Sequence, residues 1–329
     1  MIDALRLHIE KSQQVLITTH KSPDGDAIGS VVSWYFFFKN MGKKAHVLIP
    51  DRPADFLLPF LKDVEYSIFD QGFTLDASSF DTLYCLDYNG ASRVGKDMES
   101  FVLDFPSTKV MIDHHPHPQD FCPITVSRPE VCSTAQLIFE CIDEMGMLPL
   151  VDEAVGNGIY LGMLTDTGSF RFPSVTAKTH EVLAYLLKIG VNHVNIHEAI
   201  YDVNTVSRLQ LRGYAIAEKL ELFPGLPIGL ISLSLDELRR FDYQKGDTEG
   251  LVNVILSIEG ISIAAFFVEH EDGIKISFRS KGKYFVNEFS SKHFMGGGHQ
   301  YAAGGFSNDS LSVTIDRFRS LVGELTQTK

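Results

Sequence analysis

Four short apolar runs, each followed by a stretch of helical spacing, constrain the first half of this chain more than any other feature. Residues 14–19 (QVLITT), 45–50 (AHVLIP), 82–86 (TLYCL) and 109–112 (KVMI) are brief and apolar nearly throughout, as strands buried on both faces must be. Between and after them, residues 27–40, 133–145, 153–164 and 178–188 place apolar side chains at helical spacing, and Gly190 closes the last. Strand, helix, strand order predicts an α/β fold, an open parallel sheet with helices on both faces. After Val191 the pattern changes. Residues 195–201 and 206–222 read as helices, and Pro224-Gly225-Leu226-Pro227 breaks the chain. Beyond the break come β-rich runs at 228–233, 261–268 and 274–278, a glycine cluster at 296–298 and a closing helix from about residue 312. The expected organisation is a first domain over 1–202, a helical connector over 203–227, and a smaller α/β domain with a mixed sheet over 228–329.

At 329 residues the chain is long enough for about two domains. The greasiest stretch, 31–38, is far short of the ~20 apolar residues that cross a bilayer. Met1-Ile2-Asp3 opens no basic, then apolar, leader. Cys85, Cys122, Cys132 and Cys141 form no CxxC pair and suit buried thiols in a reducing compartment. A cytoplasmic protein without a membrane partner is expected. The net charge of −13 opposes binding to long polyanions, which depends on a basic footprint. Any nucleic-acid substrate should therefore be short, and long duplexes are excluded.

Chemistry gathers at the strand ends. His20 follows the first predicted strand, Asp87 the third, and Asp113-His114-His115 the fourth. Ligands of open α/β sheets bind beyond the carboxyl ends of the strands, so these residues converge on one crevice. Asp24 and Asp26 lie in a Pro/Gly turn ahead of a helix, where one aspartate reads equally well as an N-cap; that leaves His20 and the second carboxylate unexplained. His114 and His115 are strand neighbours that point opposite ways and should not share one job. His117, after a proline, reads as a surface loop residue. Asp166, between threonines and before Gly168, reads either as a turn cap or as a ligand. Together Asp24, Asp26, Asp87 and Asp166 with His20 and His114 make an oxygen-rich, sulfur-free donor set suited to Mn²⁺ or a similar divalent ion. Six such groups exceed the needs of one ion. Two divalent ions sharing one aspartate account for them, and such pairs clamp phosphoryl oxygens and activate water.

These residues resemble the DHH phosphoesterases, named for the tripeptide seen at Asp113-His114-His115. Thr19-His20, Asp24-Gly25-Asp26, Asp87 with Ser92-Arg93-Val94-Gly95 behind it, and Thr165-Asp166-Thr167-Gly168 follow the family order. The resemblance implies one ion held by His20, Asp24 and Asp87, and a second held by Asp26, Asp87, His114 and Asp166, with Asp87 bridging. It implies that His115 contacts the scissile phosphate, that Asp113 orients its neighbours, and that Arg93 joins the catalytic group. Phe278-Arg279-Ser280, Gly296-Gly297-Gly298-His299 and Ala302-Ala303-Gly304-Gly305 resemble the first type of DHH-associated domain. There Arg279, Ser280, His299 and the glycine-rich loop would hold the nucleotide part of a substrate. Met295 departs from the pattern, standing where many relatives carry a fourth glycine.

Two domains with nothing appended are similar to the bacterial nanoRNases. That implies hydrolysis of RNAs of about two to five nucleotides and of adenosine 3′,5′-bisphosphate, in keeping with the anti-polyanion charge. The alternative is a soluble phosphodiesterase for cyclic di-AMP or linear pApA. The 296–305 pattern argues against pyrophosphate, whose hydrolases carry a different second domain. The intact ligand set argues against a catalytically silent nucleotide-binding protein. Cleavage direction, native metal and oligomeric state, a homodimer included, are left open.

Overall fold

Residues whose side chains are apolar on both faces can pair only inside a covered sheet. The computed structural model describes residues 2–69 and 75–326; residues 70–74 and the outer ends of the two expected domains, Met1 and 327–329, lie outside it. The chain divides into two units that meet in sequence at Val203 and Asn204.

The first unit begins with α1 (Ile2–Lys11), β1 (Gln14–Thr18), α2 (Gly25–Asn40), β2 (Lys44–Ile49), β3 (Tyr66–Ile68) and β4 (Thr82–Leu86). It continues through α3 (Lys96–Leu103), β5 (Thr108–Asp113), β6 (Ile124–Ser127), α4 (Thr134–Glu144), α5 (Glu153–Asp166), α6 (Ala177–Lys188) and α7 (His193–Tyr201). The sheet order is β3-β2-β1-β4-β5-β6, and every pairing is parallel. Strand order reverses between β1 and β4, the switch point where such sheets open a crevice. Two apolar layers cover the sheet. One contains Val15, Ile17, Val47 and Tyr84 with the helices α2, α4 and α5. The other contains Leu16, Leu48, Cys85 and Met111 with α3.

Glycines set the closest helix contact in this unit. A Cβ at Gly29 of α2 would stand 2.4 Å from the Gly158 carbonyl oxygen and 2.6 Å from the Gly162 nitrogen of α5. A Cβ at Gly162 would stand 2.4 Å from Asp26 Oδ1. The backbones therefore touch, and the contact fixes where Asp26 and the end of α5 lie.

The second unit holds α8 (Val206–Glu218), β7 (Leu220–Leu222), β8 (Ile228–Leu233), α9 (Leu235–Arg240), α10 (Leu251–Leu256), β9 (Ile263–His270) and β10 (Gly273–Ser280). It closes with α11 (Asn287–His293), β11 (Gly297–His299), β12 (Ala302–Ser307) and α12 (Leu311–Thr326). Its sheet runs β11-β12-β10-β9-β8-β7. Only β8 and β9 pair in parallel, so the sheet is mixed.

The 203–227 stretch differs from the connector read in the sequence. Leu211 and Ala215 of α8 are buried in a cluster with Ile231, Leu233 and Phe266. Helix α8 stops at Glu218, and β7 pairs antiparallel with β8. The Pro224–Pro227 break is the turn of that hairpin, closed by the Phe223 N–H donating to Ile228 O at 3.1 Å. The stretch is thus built into the second unit because Leu211, Ala215 and Leu220 need its core. Helical spacing carried the sequence reading straight through the three-residue β7. Four further strands escaped it as well: β3, β6 and β11, three or four residues long, and the glycine-bearing β12.

Candidate metal centre

An aspartate ahead of an apolar helix can cap it, and Asp24 does. Its Oδ1 accepts from the N–H groups of Asp26 and Ala27, each at 3.1 Å. The side chain is still 62% exposed, and Oδ1 stands 3.9 Å from His20 Nε2. Capping and ligand readings are therefore compatible in one residue.

Asp26 is buried, and its carboxylate faces the start of α4. Oδ2 accepts from the Thr134 N–H at 2.7 Å and Oδ1 from the Ala135 N–H at 3.0 Å. A helix N-terminus favours negative charge. Burial, and then the charges of Asp87, Asp166 and Asp24, nevertheless hold the Asp26 carboxyl well above the usual carboxylate range.

Asp87 ends β4 in the left-handed region, φ 65°, a conformation uncommon for non-glycine residues and frequent at functional sites. Its two oxygens look different ways. Oδ2 lies 3.5 Å from His20 Nε2, and Oδ1 lies 3.8 Å from His114 Nε2. The Thr134 hydroxyl donates to Oδ1 at 2.8 Å. Burial would raise this carboxyl, but His20, His114 and His115 hold it far below the usual range.

Both candidate ligand histidines have their tautomer fixed. A carbonyl can only accept, so His20 Nδ1 donates to Lys21 O at 2.9 Å and His114 Nδ1 donates to Val131 O at 3.1 Å. In each neutral ring the lone pair is then on Nε2, aimed into the acidic cluster, as metal-binding histidines require. His114 Nε2 also stands 3.8 Å from Asp26 Oδ2 and 3.4 Å from Asp166 Oδ2. Burial works against charge on His20, yet its hydrogen bond and attraction to Asp87, with Asp24 behind, push its pKa up to about 9. Asp166, the last residue of α5, is pushed up to about 7 by burial and by Asp87 and Asp24, against the pull of His114.

Three trios offer ligand atoms that lie within 4.8 Å of one another: His20, Asp24 and Asp87; Asp26, His114 and Asp166; Asp87, His114 and His115. The arrangement fits divalent ions on two counts. Carboxylates crowded until two are raised in pKa call for cations, and both histidines, with Nδ1 held by a carbonyl, turn Nε2 toward those carboxylates.

Asp113 is fully buried and grips its neighbour twice: Oδ1 lies 2.7 Å from His115 Nδ1, and Oδ2 accepts the His115 N–H at 3.1 Å. Burial disfavours charge on His115, but this hydrogen bond and Asp87 raise its pKa, against the nearby Arg93. Arg93 sits in a short turn after β4, and its carbonyl accepts the Lys21 N–H at 2.8 Å. His117 is exposed.

In the second unit, Arg279 of β10, Ala302 of β12 and His299 of β11 occupy one register row and so share a sheet face. Arg279 Nη1 donates to Phe278 O at 2.9 Å, and burial lowers its pKa. Ser280 is buried and donates to Tyr284 O at 2.7 Å. Gly297 and Gly298, expected in a glycine-rich loop, form the edge strand β11 instead, with Gly296 just before it. The reason is space: a Cβ at Gly296 would meet Gly304 O at 2.0 Å, and Gly298 takes φ 138°. Met295 itself adopts φ 45°, the conformation a glycine there would take freely.

Sequence reasoning missed Thr134 and Ala135, whose N–H groups hold Asp26. Ser133, the N-cap of α4, was the available signal. Asp51 was missed too; its Oδ1 accepts the Ser22 N–H at 2.6 Å and tethers the loop between His20 and Asp24.

Comparison with known proteins agrees in both units. Residues 14–163 match the DHH family, N-terminal domain, and residues 229–328 match the DHHA1 domain. A curated relative from Thermus thermophilus, the bifunctional oligoribonuclease and PAP phosphatase NrnA, is 33% identical over 88% of this chain and 83% of its own length. The cyclic-di-AMP phosphodiesterase PdeA of Listeria monocytogenes is 24% identical over 90% of this chain, but only 45% of its own length is matched. Among solved structures, an exopolyphosphatase-related protein from Bacteroides fragilis superposes with a TM-score of 0.93 at 35% identity, covering 98% of this chain and 95% of that one. With a relative above 30% identity matched over 83% of its length, and both domain models matched in sequence order, the chain belongs to the DHH family.

Proposed function

We propose that this chain is a metal-dependent phosphoesterase that hydrolyses short oligoribonucleotides to mononucleotides and dephosphorylates adenosine 3′,5′-bisphosphate in the cytoplasm. The supporting observation is the split of Asp87, one oxygen toward His20 and the other toward His114, in a chain that resembles the Thermus enzyme over most of its length.

On this reading His20, Asp24 and Asp87 hold one divalent ion, and Asp26, Asp87, His114 and Asp166 hold the second, with Mn²⁺ as the expected metal. When bound, such a pair activates water and stabilises the phosphoryl oxygens. The chain's own residues do the rest. Lys21 O and Val131 O keep the Nε2 lone pairs of His20 and His114 aimed inward. Thr134 and Ala135 fix Asp26, and the Thr134 hydroxyl fixes Asp87. Asp113 holds His115 where it meets the scissile phosphate, and Arg93 adds positive charge beside it. Arg279, Ser280, His299 and the backbone of Gly296, Gly297 and Gly298 bind the nucleotide part of the substrate.

A panel of pApA, longer RNA, adenosine 3′,5′-bisphosphate and cyclic di-AMP, assayed with Mn²⁺ and with chelator, tests the proposal. Turnover of the dinucleotide and the bisphosphate, lost on chelation, is expected. Cyclic di-AMP outpacing both would establish the reading that the Listeria relative represents. Full turnover in excess chelator, with metal removal verified by elemental analysis, would refute both.

A further inference from the structure

Among the buried side-chain nitrogens and oxygens without a partner in the described residues, one alone belongs to a charged group: Arg208 Nε, on α8. Each orphaned buried donor in a folded protein calls for an explanation, an unseen ion among them. Arg212 lies one turn on, at the i+4 position, with Cβ atoms about 5–6 Å apart. Its Nη1 reaches only the backbone carbonyl of Glu249, at 3.4 Å. Burial, and then the charge of Arg208, lower the Arg212 pKa. Both side chains flank the stripe of Leu211 and Ala215 that α8 buries, so their guanidinium groups are carried along the rim of the core. Among the described residues no carboxylate comes within 4 Å of either, in a chain with 42 acidic residues against 29 basic ones. Both arginines are half-buried, and two like charges side by side, one with an orphaned buried Nε–H, favour an anion.

We infer that Arg208 and Arg212 form an anion site in the second unit, which takes a phosphate dianion between two guanidinium forks. Two forks offer several N–H donors to the three outer oxygens of a phosphoryl group, the geometry arginine matches best. The dianion can come from inorganic phosphate or from a nucleoside monophosphate. The pair shares no residue with the candidate metal ligands and does not depend on the catalytic reading above.

The test is calorimetric and thermal titration of the full, Mn²⁺-loaded chain with inorganic phosphate and with adenosine 5′-monophosphate, using chloride at equal ionic strength as control. It compares wild type with Arg208→Met and with Arg212→Gln. Phosphate held at the metal centre contributes equally to all three proteins, so their difference reads the arginine pair. The expected result is a phosphate event in wild type that survives chelation and weakens about tenfold or more in each variant, as loss of a charge-assisted bond implies. Arg208→Met without ligand should melt no lower than wild type, because it removes a buried N–H donor that has no partner. A response to both ligands assigns inorganic phosphate as sufficient; a response to the monophosphate alone assigns the nucleotide. Phosphate binding that vanishes wholly on chelation overturns the inference, as does an Arg208→Met variant that melts lower with unchanged phosphate binding.

Discussion

Replacing Gly29 by alanine should separate the activity of this protein from its stability. The new Cβ would stand 2.4 Å from Gly158 O and 2.6 Å from Gly162 N, whereas ordinary carbon contacts begin near 3.5 Å. Helices α2 and α5 must therefore part by about 1 Å. Overpacking of this kind costs about 1–3 kcal/mol, and the better helix propensity of alanine returns about 1 kcal/mol. The net loss is at most about 2 kcal/mol. The candidate site is less forgiving. Asp26 lies three residues from Gly29 on α2, and Asp166 four residues from Gly162 on α5, so each is within about 6 Å along its helix of the forced gap. Ligand positions tolerate about 0.2 Å, and a misplacement of about 1 Å costs about a hundredfold in rate. Urea unfolding followed by the fluorescence of Trp34, the one tryptophan and itself on α2, reads the stability; metal content and kcat/KM on pApA read the site. Gly213→Ala on α8, where nothing stands within 4 Å of the new Cβ, is the control and should match or exceed wild type in stability with full activity. Wild-type metal content and kcat/KM in Gly29→Ala would refute the reasoning.

Asp87→Ala should lose more metal and more activity than Asp26→Ala, since Asp87 serves both proposed ions; equal metal content in the two variants counts against a shared ligand. Thr134→Val, which removes the hydroxyl on Asp87 Oδ1 and keeps the shape, should weaken metal affinity or activity about 10- to 100-fold, read by Mn²⁺ titration of turnover. Glu237 accepts from Tyr214, Lys219 and the Ser234 N–H. Burial would raise its carboxyl, but these partners, Lys219 foremost, bring it from an ordinary 4.5 down to about 2. Its contribution is therefore complete above about pH 4.5 and is lost as pH falls toward 2. Hydrogen exchange in α9 should be faster in Glu237→Gln than in wild type at pH 6, and the gap should close in acid; a gap independent of pH would contradict the assignment. Met295→Gly, relieving a left-handed side chain that is 65% exposed, should raise stability by up to about 1 kcal/mol in a thermal melt.

The central strands of the first sheet were legible because Val15, Ile17, Leu83, Leu86, Val110 and Ile112 are buried on both faces and leave unbroken apolar runs. The edge strands β3 and β6 leave no such run, since each pairs on one side only. Three of the six ligand candidates, His20, Asp87 and His114, were readable because a strand end announces itself by an abrupt change from apolar to charged; Asp24, Asp26 and Asp166 stand at helix ends, where the same change also reads as capping. What stayed hidden works through the backbone. Thr134 and Ala135 act by their N–H groups, which every residue carries, and Gly29, Gly158 and Gly162 act by lacking a side chain. The glycines at 296–298 read as a phosphate cradle, while close packing already accounts for two of them, Gly296 against Gly304 and Ser290 and Gly298 against Ala302 and Ala303. The hairpin at 224–227 looked like a break because a turn and a linker share the same proline and glycine signature.

The parallel pairing of β1 with β4, which sets residues 15–18 against residues 82–85, also bears on how the protein acquires its site. Parallel strands cannot be closed by a tight turn, and contacts so distant along the chain form late and slowly. The candidate ligands run from His20 to Asp166, so a chain that has not yet closed this sheet presents them dispersed. Metal would then bind the finished unit far better than any precursor. It would act chiefly as a brake on unfolding rather than as a nucleus for folding, and depletion of metal would shorten the lifetime of the native state while leaving its rate of formation nearly untouched.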